Sequence, residues 1–325
     1  MRRRQFIAAL AGFSAGLMWP FGTHAQRPNV RRIGVLVVGN AEADAISFQE
    51  ELREELRKFG FVEGQNLAFD LRSADQKLDR LPKLATELVA EKVDIIVALY
   101  TPCALAAKQA TREIPIVVVS GDPVGTGLVP SLARPGGNLT GVSLIAAEMH
   151  GKCVELFRDM LPSLRRVAAL GNAADPFSKP FLEKVRQAGK TTGLEIAPTM
   201  MVGGPQEVEA AFANIKKEEA GAVVVQGSLA SKSVADLAVR YGLPAATVPR
   251  SFAEAGGLLS YGADSSASFR QSARFVVKIL QGGSPADMPI EQPTKFELVV
   301  NLKTAKALGL TIPPAVLVQA EEVIE

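Results

Sequence analysis

IGVLVV, at residues 33–38, is an apolar run with no polar break, and the stretch after it repeats Phe48, Leu52, Leu56 and Phe59 along one helical face. A strand that is apolar at every position has no wet side, so it belongs in a parallel sheet covered by helices on both faces. The same alternation continues downstream. DIIVALY (94–100), IPIVVVS (114–120), VAALGN (167–172), AVVVQG (222–227) and LPAATV (243–248) are separated by amphipathic stretches of helical length. Repeated β-α-β units follow, and with them an α/β fold class.

The units pause at 122–140, DPVGTGLVPSLARPGGNLT, where Pro and Gly are too dense for a periodic helix. They restart with a helix over 146–161. This spacing predicts two doubly wound lobes, one formed by 31–143 with 258–284 and the other by 146–257 with 285–325. The chain would cross between them just after Ser143, near 256–262 (GGLLSYG) and near 289–300, so that three crossings form a hinge. Beyond them, Asn301 is placed to cap a short helix that stops at Gly309.

The N-terminus has Arg2, Arg3 and Arg4, then an apolar stretch from Phe6 to Trp19, then Thr23-His24-Ala25. These are the charged, apolar and small-residue parts of a secretory signal, with cleavage expected after Ala25. The stretch is shorter than the roughly 20 residues that span a bilayer as a helix. Arg3-Arg4 followed by Gln5-Phe6-Ile7 also fits a twin-arginine signal, and an ordinary signal with a basic start fits equally well. Export to the periplasm is expected by either route.

Cleavage removes three arginines and no acid, which takes the formal charge from +2 to −1 and leaves no electrostatic case for a nucleic-acid partner. His150 becomes the only histidine, so a histidine metal centre or a Ser/His/Asp triad would rest on it alone. Neither Cys103 nor Cys153 has a partner at metal-ligand spacing, and both sit in apolar helical contexts that suit buried thiols better than a bridge. No phosphate loop and no G-x-G-x-x-G follows the first strand. No cofactor and no metal are expected, nor is an enzyme; Asp122 with Glu254 is the one acid–base pair an enzyme reading could use.

In open parallel sheets, ligands bind beyond the carboxyl ends of the strands. That rule selects Asn40 after the first strand, Tyr100 and Thr101 after 94–99, and Gly121 and Asp122 after 114–120. In the second lobe it selects Asn172, Gln226 and Ser228. Asp122 would meet a ligand ammonium or hydroxyl, or else bond its own turn. Tyr261 and Glu254 fall at the second crossing, where an aromatic body and a carboxylate can orient a guest. Asn40, Thr101, Asn172 and Ser228 suit helix caps as well.

GDPVGTGLVPSLARPGGNLTGVS (121–143), EAGGLLSYG (254–262) and the tail ILQGGSPADMPIEQPTKFELVVNLKTAKALGLTIPP (279–314) resemble the bacterial ABC-transporter substrate-binding proteins related to tryptophan/tyrosine uptake. The resemblance covers the whole mature chain and is most specific in the tail. It implies the periplasmic binding protein type I fold, two Rossmann-like lobes with a three-crossover hinge. It also implies a small organic ligand, amino acids or aromatic compounds among them, and an inner-membrane ABC permease as partner for a monomer. The family carries small residues after the strand at 94–100, where this chain has Tyr100-Thr101-Pro102-Cys103. The alternative reading keeps the fold and makes the chain a ligand-sensing partner of a sensor kinase or chemoreceptor.

Overall fold

The apolar run forms strand β1 (Arg31–Val37) in the computed structural model, which describes residues 30–39 and 43–325. The export signal with its cleavage point after Ala25, and the candidate ligand residue Asn40, lie outside the described residues. After β1 come α1 (Ala43–Lys58), β2 (Leu67–Ser73), α2 (Leu81–Ala90), β3 (Ile95–Leu99), α3 (Thr101–Ala110), β4 (Ile116–Ser120) and β5 (Leu139–Ser143). Their strands pair in parallel in the order β2-β1-β3-β4-β5.

The chain continues through α4 (Ala146–Met160), β6 (Arg166–Asn172), α5 (Ser178–Thr192), β7 (Glu195–Val202), α6 (Pro205–Lys217), β8 (Ala222–Val225), α7 (Lys232–Arg240) and β9 (Ala245–Thr247). The last elements are α8 (Arg250–Glu254), β10 (Leu259–Ala263), α9 (Ser265–Leu280), β11 (Phe296–Asn301), α10 (Leu302–Ala307), α11 (Pro314–Leu317) and β12 (Glu322–Ile324). They form a second sheet ordered β12-β11-β10-β9-β8-β6-β7, in which β11 runs against β10.

Each sheet is buried on both faces, as the unbroken apolar runs require. In β1, Ile33, Val35 and Val37 pack with α1 and α9, while Leu36 joins the cluster under α2 and α3. Phe48, Leu52 and Leu56 of α1 are fully buried, each worth roughly 1.5–3 kcal/mol of transfer free energy. Phe48 meets Phe269 of α9 edge-on at 5.1 Å. Phe59, expected on the same stripe, lies one residue past the helix end and is 48% exposed.

The crossings differ in detail from the sequence pattern. The segment 258–284 divides: β10 stays in the second sheet, paired with β9 and β11, and only α9 returns to pack on α1, β4 and β5. The next residues also stay with the first sheet, since Ile290 belongs to its core and Glu291 bridges to Val142. The first lobe therefore takes in α9 and the chain as far as Glu291, and the second resumes at β11. The reason is hydrophobic pairing: Phe269, Phe275 and Val276 of α9 complete the face that α1 leaves open. The hinge is tied by the Ser143 N–H to the Glu291 carbonyl (2.8 Å), Leu144 N–H to Ser120 (2.7 Å) and Asp264 N–H to Lys295 (3.2 Å). The cap expected at Asn301 is present, its side chain accepting the Thr304 N–H at 3.0 Å.

Cys103 and Cys153 are both buried and lie in different lobes, so no disulfide joins them.

Candidate functional site

The strand ends of both sheets meet around one cavity with about 680 Å³ of empty space, counting its open mouth. The first lobe contributes Tyr100, Thr101 and Pro102 after β3, and Gly121 after β4. The second contributes Asp175 and Phe177 after β6, Ser228 after β8, and Val248 and Pro249 after β9. The hinge adds Leu144, Ala146 and Ser265, and α4 adds His150. An outer chamber continues from Tyr100, Asp175 and Ser228 toward Gln76, Asn172, Lys232 and Ser251.

Four sequence-selected residues, Tyr100, Thr101, Gly121 and Ser228, line the inner cavity, and Asn172 lines the outer chamber. Tyr100 has φ +70°, a left-handed backbone that a non-glycine residue adopts at a cost of order 1–3 kcal/mol. That turn places its ring at the cavity and starts α3 there, with no acidic residue in the first helical turn. Gly121 lies under Phe177 of the opposite lobe: a Cβ at 121 would stand 2.8 Å from the ring. The backbone at Gly121 is not left-handed, so the glycine is required by the space alone.

Asp122, Glu254 and Tyr261 are not brought to this cavity. Asp122 Oδ1 accepts the Gly125 N–H at 2.8 Å, the turn role, and its side chain faces a separate groove beside Glu148 and Lys184. Glu254 is exposed and pairs with Arg250 at 2.7 Å. Tyr261 packs into the second lobe's core and stacks on Phe296 with centroids 6.4 Å apart. Gln226 is fully buried beneath the cavity rather than in its lining.

Asp175 is the residue that sequence reasoning missed. It is 5% exposed, with Oδ1 accepting the Phe177 N–H at 2.9 Å and Oδ2 accepting the Gln226 Nε2–H at 2.8 Å. Burial pushes its carboxyl above the usual carboxylate range, against the pull of the Phe177 N–H, the Ser228 hydroxyl and the Gln226 amide. A buried carboxylate that faces a cavity and has an unmet preference for a counter-charge is suited to an ammonium group.

His150 forms part of the apolar wall, edge-on to Phe181 at 4.8 Å. Its Nδ1 stands 2.6 Å from the Ala146 carbonyl, which assigns the proton to Nδ1, while Nε2 has no hydrogen-bond partner. Desolvation holds its pKa down at about 4, although the Ala146 and Val225 carbonyls pull upward. Between pH 6.5 and 4 the unfolded chain binds this proton and the folded chain does not, so stability falls as pH falls through that window. The loss reaches up to about 3 kcal/mol. Urea denaturation at pH 7 and pH 4.5 checks this: His150→Phe should lose less stability on acidification than the wild type, and equal losses would rule His150 out as the source.

Two α/β lobes joined by three crossing segments, with a buried carboxylate in a largely apolar cleft, define a ligand-capturing protein of the periplasmic binding protein type I class. A profile of the ABC transporter substrate binding proteins matches residues 32–324, and the chain belongs to that family. It is 26% identical over 254 residues to a tyrosine-binding protein of Clostridioides difficile, covering 77% of this chain and 73% of that one. A Streptococcus pneumonia structure in complex with L-Trp is 26% identical, with a TM-score of 0.83 over 91% of this chain and all of the other. The ligand-free, open structure of a Clostridium difficile substrate binding protein is 25% identical, with a TM-score of 0.65 over 91% of this chain and 99% of the other. The protein is thus an extracytoplasmic substrate-binding component of an ABC importer, which captures a small ligand between its lobes for a membrane permease.

Proposed function

We propose that the ligand is an amino acid with an apolar or aromatic side chain, held with its ammonium on Asp175. The observation that carries this reading is the charge inventory of the inner cavity. Among the described residues, Asp175 is the one carboxylate that lines it, no Lys or Arg does, and His150 is neutral above a pKa of about 4. An ammonium is therefore drawn to Asp175. A carboxylate would be drawn to the first turn of α3 at Thr101, where the helix dipole favours an anion. Phe177, Leu144, Val248 and Pro102 would cover the side chain. The likeness to tyrosine- and tryptophan-binding relatives supports the same class.

Contact with both lobes favours closure, because the ligand's differential affinity for the closed state moves the equilibrium. A micromolar affinity would correspond to about 8 kcal/mol of binding free energy. On this reading the export signal is removed after Ala25, by the twin-arginine or the ordinary route, and the mature chain works as a monomer.

Thermal-shift screening of the mature protein against amino acids, sugars and amine-free aromatic acids tests the proposal. Ligand at 100 times its Kd stabilises the native state by about 2.7 kcal/mol. L-tyrosine or L-tryptophan should give the largest rise in Tm. A rise with a sugar or an amine-free acid, and none with any amino acid, would reject the assignment.

A further inference from the structure

We infer that Gln226 is the positioning residue that holds Asp175 as an oriented, charged acceptor, and so restricts this site to ligands bearing an ammonium. The inference rests on the proposed contact between Asp175 and the ligand's ammonium, and it concerns a residue that does not line the cavity.

The Gln226 amide can lie only one way round. Gln226 follows β8, is fully buried, and its Oε1 accepts the backbone N–H of Asn172 at 2.9 Å and the Ser178 hydroxyl at 2.7 Å. A backbone N–H can only donate. Flipping the amide would set Nε2 against that donor and Oε1 against the Asp175 carboxylate, losing both bonds and creating two repulsions. The amide is therefore fixed, and its Nε2–H points at Asp175 Oδ2. The other oxygen of Asp175 faces the Phe177 N–H, which also can only donate.

Both carboxylate oxygens thus meet obligatory donors. Both bonds are stronger to a charged acceptor than to a neutral one, so the geometry favours the ionised form although burial opposes it. A neutral hydroxyl or amide in the cavity would leave that buried charge uncompensated, whereas an ammonium neutralises it. Among the described residues, the other ionisable side chains lining the two chambers are His150, Tyr100 and Lys232, and Lys232 is held by Asp236 at 2.7 Å.

Two measurements on the mature full chain separate this role from a structural one. The first needs no ligand: carbon-detected NMR titration of the Asp175 carboxyl in the wild type, Gln226→Met and Gln226→Glu. The midpoint should rise in Gln226→Met and rise further in Gln226→Glu, where two carboxyls share the space. An unchanged midpoint in a folded Gln226→Met protein would overturn the inference. If Gln226→Met fails to fold, Ser178→Ala removes one anchor of the amide, and a smaller upward shift is expected; no shift there would count equally against it.

The second measurement compares binding of L-tryptophan and indole-3-propionate, which lacks the amine, at pH 7. Gln226→Met should shrink the wild-type preference for the amine-bearing probe by about tenfold or more. No preference in the wild type would reject the Asp175 contact itself, whereas a preference kept intact in Gln226→Met would reject only the role of Gln226.

Discussion

Asp175→Asn is expected to weaken amino-acid binding by at least about 100-fold while both lobes stay folded. The substitution keeps shape and burial but removes the charge that the ammonium meets. It also turns an amide NH₂ toward either the Phe177 N–H or the locked Gln226 Nε2–H, so one buried donor goes unmet. Calorimetric titration with L-tyrosine and L-tryptophan reads the loss, and circular dichroism checks the fold. The pH dependence follows from the same carboxyl. Because burial raises its pKa, wild-type affinity should fall on acidification at a higher pH than an ordinary aspartate would give, and Asp175→Asn should lack that fall. Binding within tenfold of wild type in Asp175→Asn would remove Asp175 from the site.

The second large effect is mechanical. Gly121→Val should cost about 100-fold in affinity without destabilising either lobe, because its side chain would occupy the place where the Phe177 ring of the opposite lobe lies. If the closed form falls to about 1% of molecules, apparent Kd rises by the same factor. Small-angle scattering should show the ligand-bound wild type contracting and Gly121→Val remaining extended at the same ligand concentration. Gly121→Val combined with Phe177→Ala should contract again, since the obstructing ring is gone. Contraction of the single variant equal to wild type would show that Gly121 does not limit closure.

The two-lobed architecture was legible because central parallel strands cannot alternate: 33–38, 95–99 and 116–119 are apolar throughout, and each is buried on both faces. The edge strands β2 (LAFDLRS) and β7 (EIAPTMMV) carry no such run, since one side of each meets solvent. In β2, Asp70 and Arg72 pair with Arg32 and Glu91 instead of entering the core. The second crossing was misplaced for a related reason: GGLLSYG looks like a linker, yet Leu259 is core and β10 is held between β9 and β11.

At the site, the strand-end rule reached Tyr100, Thr101, Gly121 and Ser228 of the cavity lining, but it took Asp122 as the carboxylate and passed over Asp175. Asp122-Pro123 and Asp175-Pro176 are the same dipeptide, one after β4 of the first lobe and the other after β6 of the second. Asp122 turns back on Gly125 and stays partly exposed, whereas Gln226 and Ser228, some fifty residues further on, enclose Asp175. What separates them is a contact between distant strands, and no local pattern encodes it. The one available signal was the Asp-Pro-Phe order at 175–177, an aromatic directly beyond a strand-end carboxylate.

The claim that matters most is that the cleft selects its guest through an ammonium on Asp175. Mature wild-type protein and Asp175→Asn can each be equilibrated with a mixture of the common amino acids, sugars and amine-free aromatic acids, desalted and denatured, and the released small molecule identified by mass. The account predicts an amino acid with an apolar or aromatic side chain from the wild type, approaching one per chain, and none from Asp175→Asn. Release of a sugar, an amine-free acid or nothing at all from the wild type, or of the same amino acid from both proteins, would contradict it.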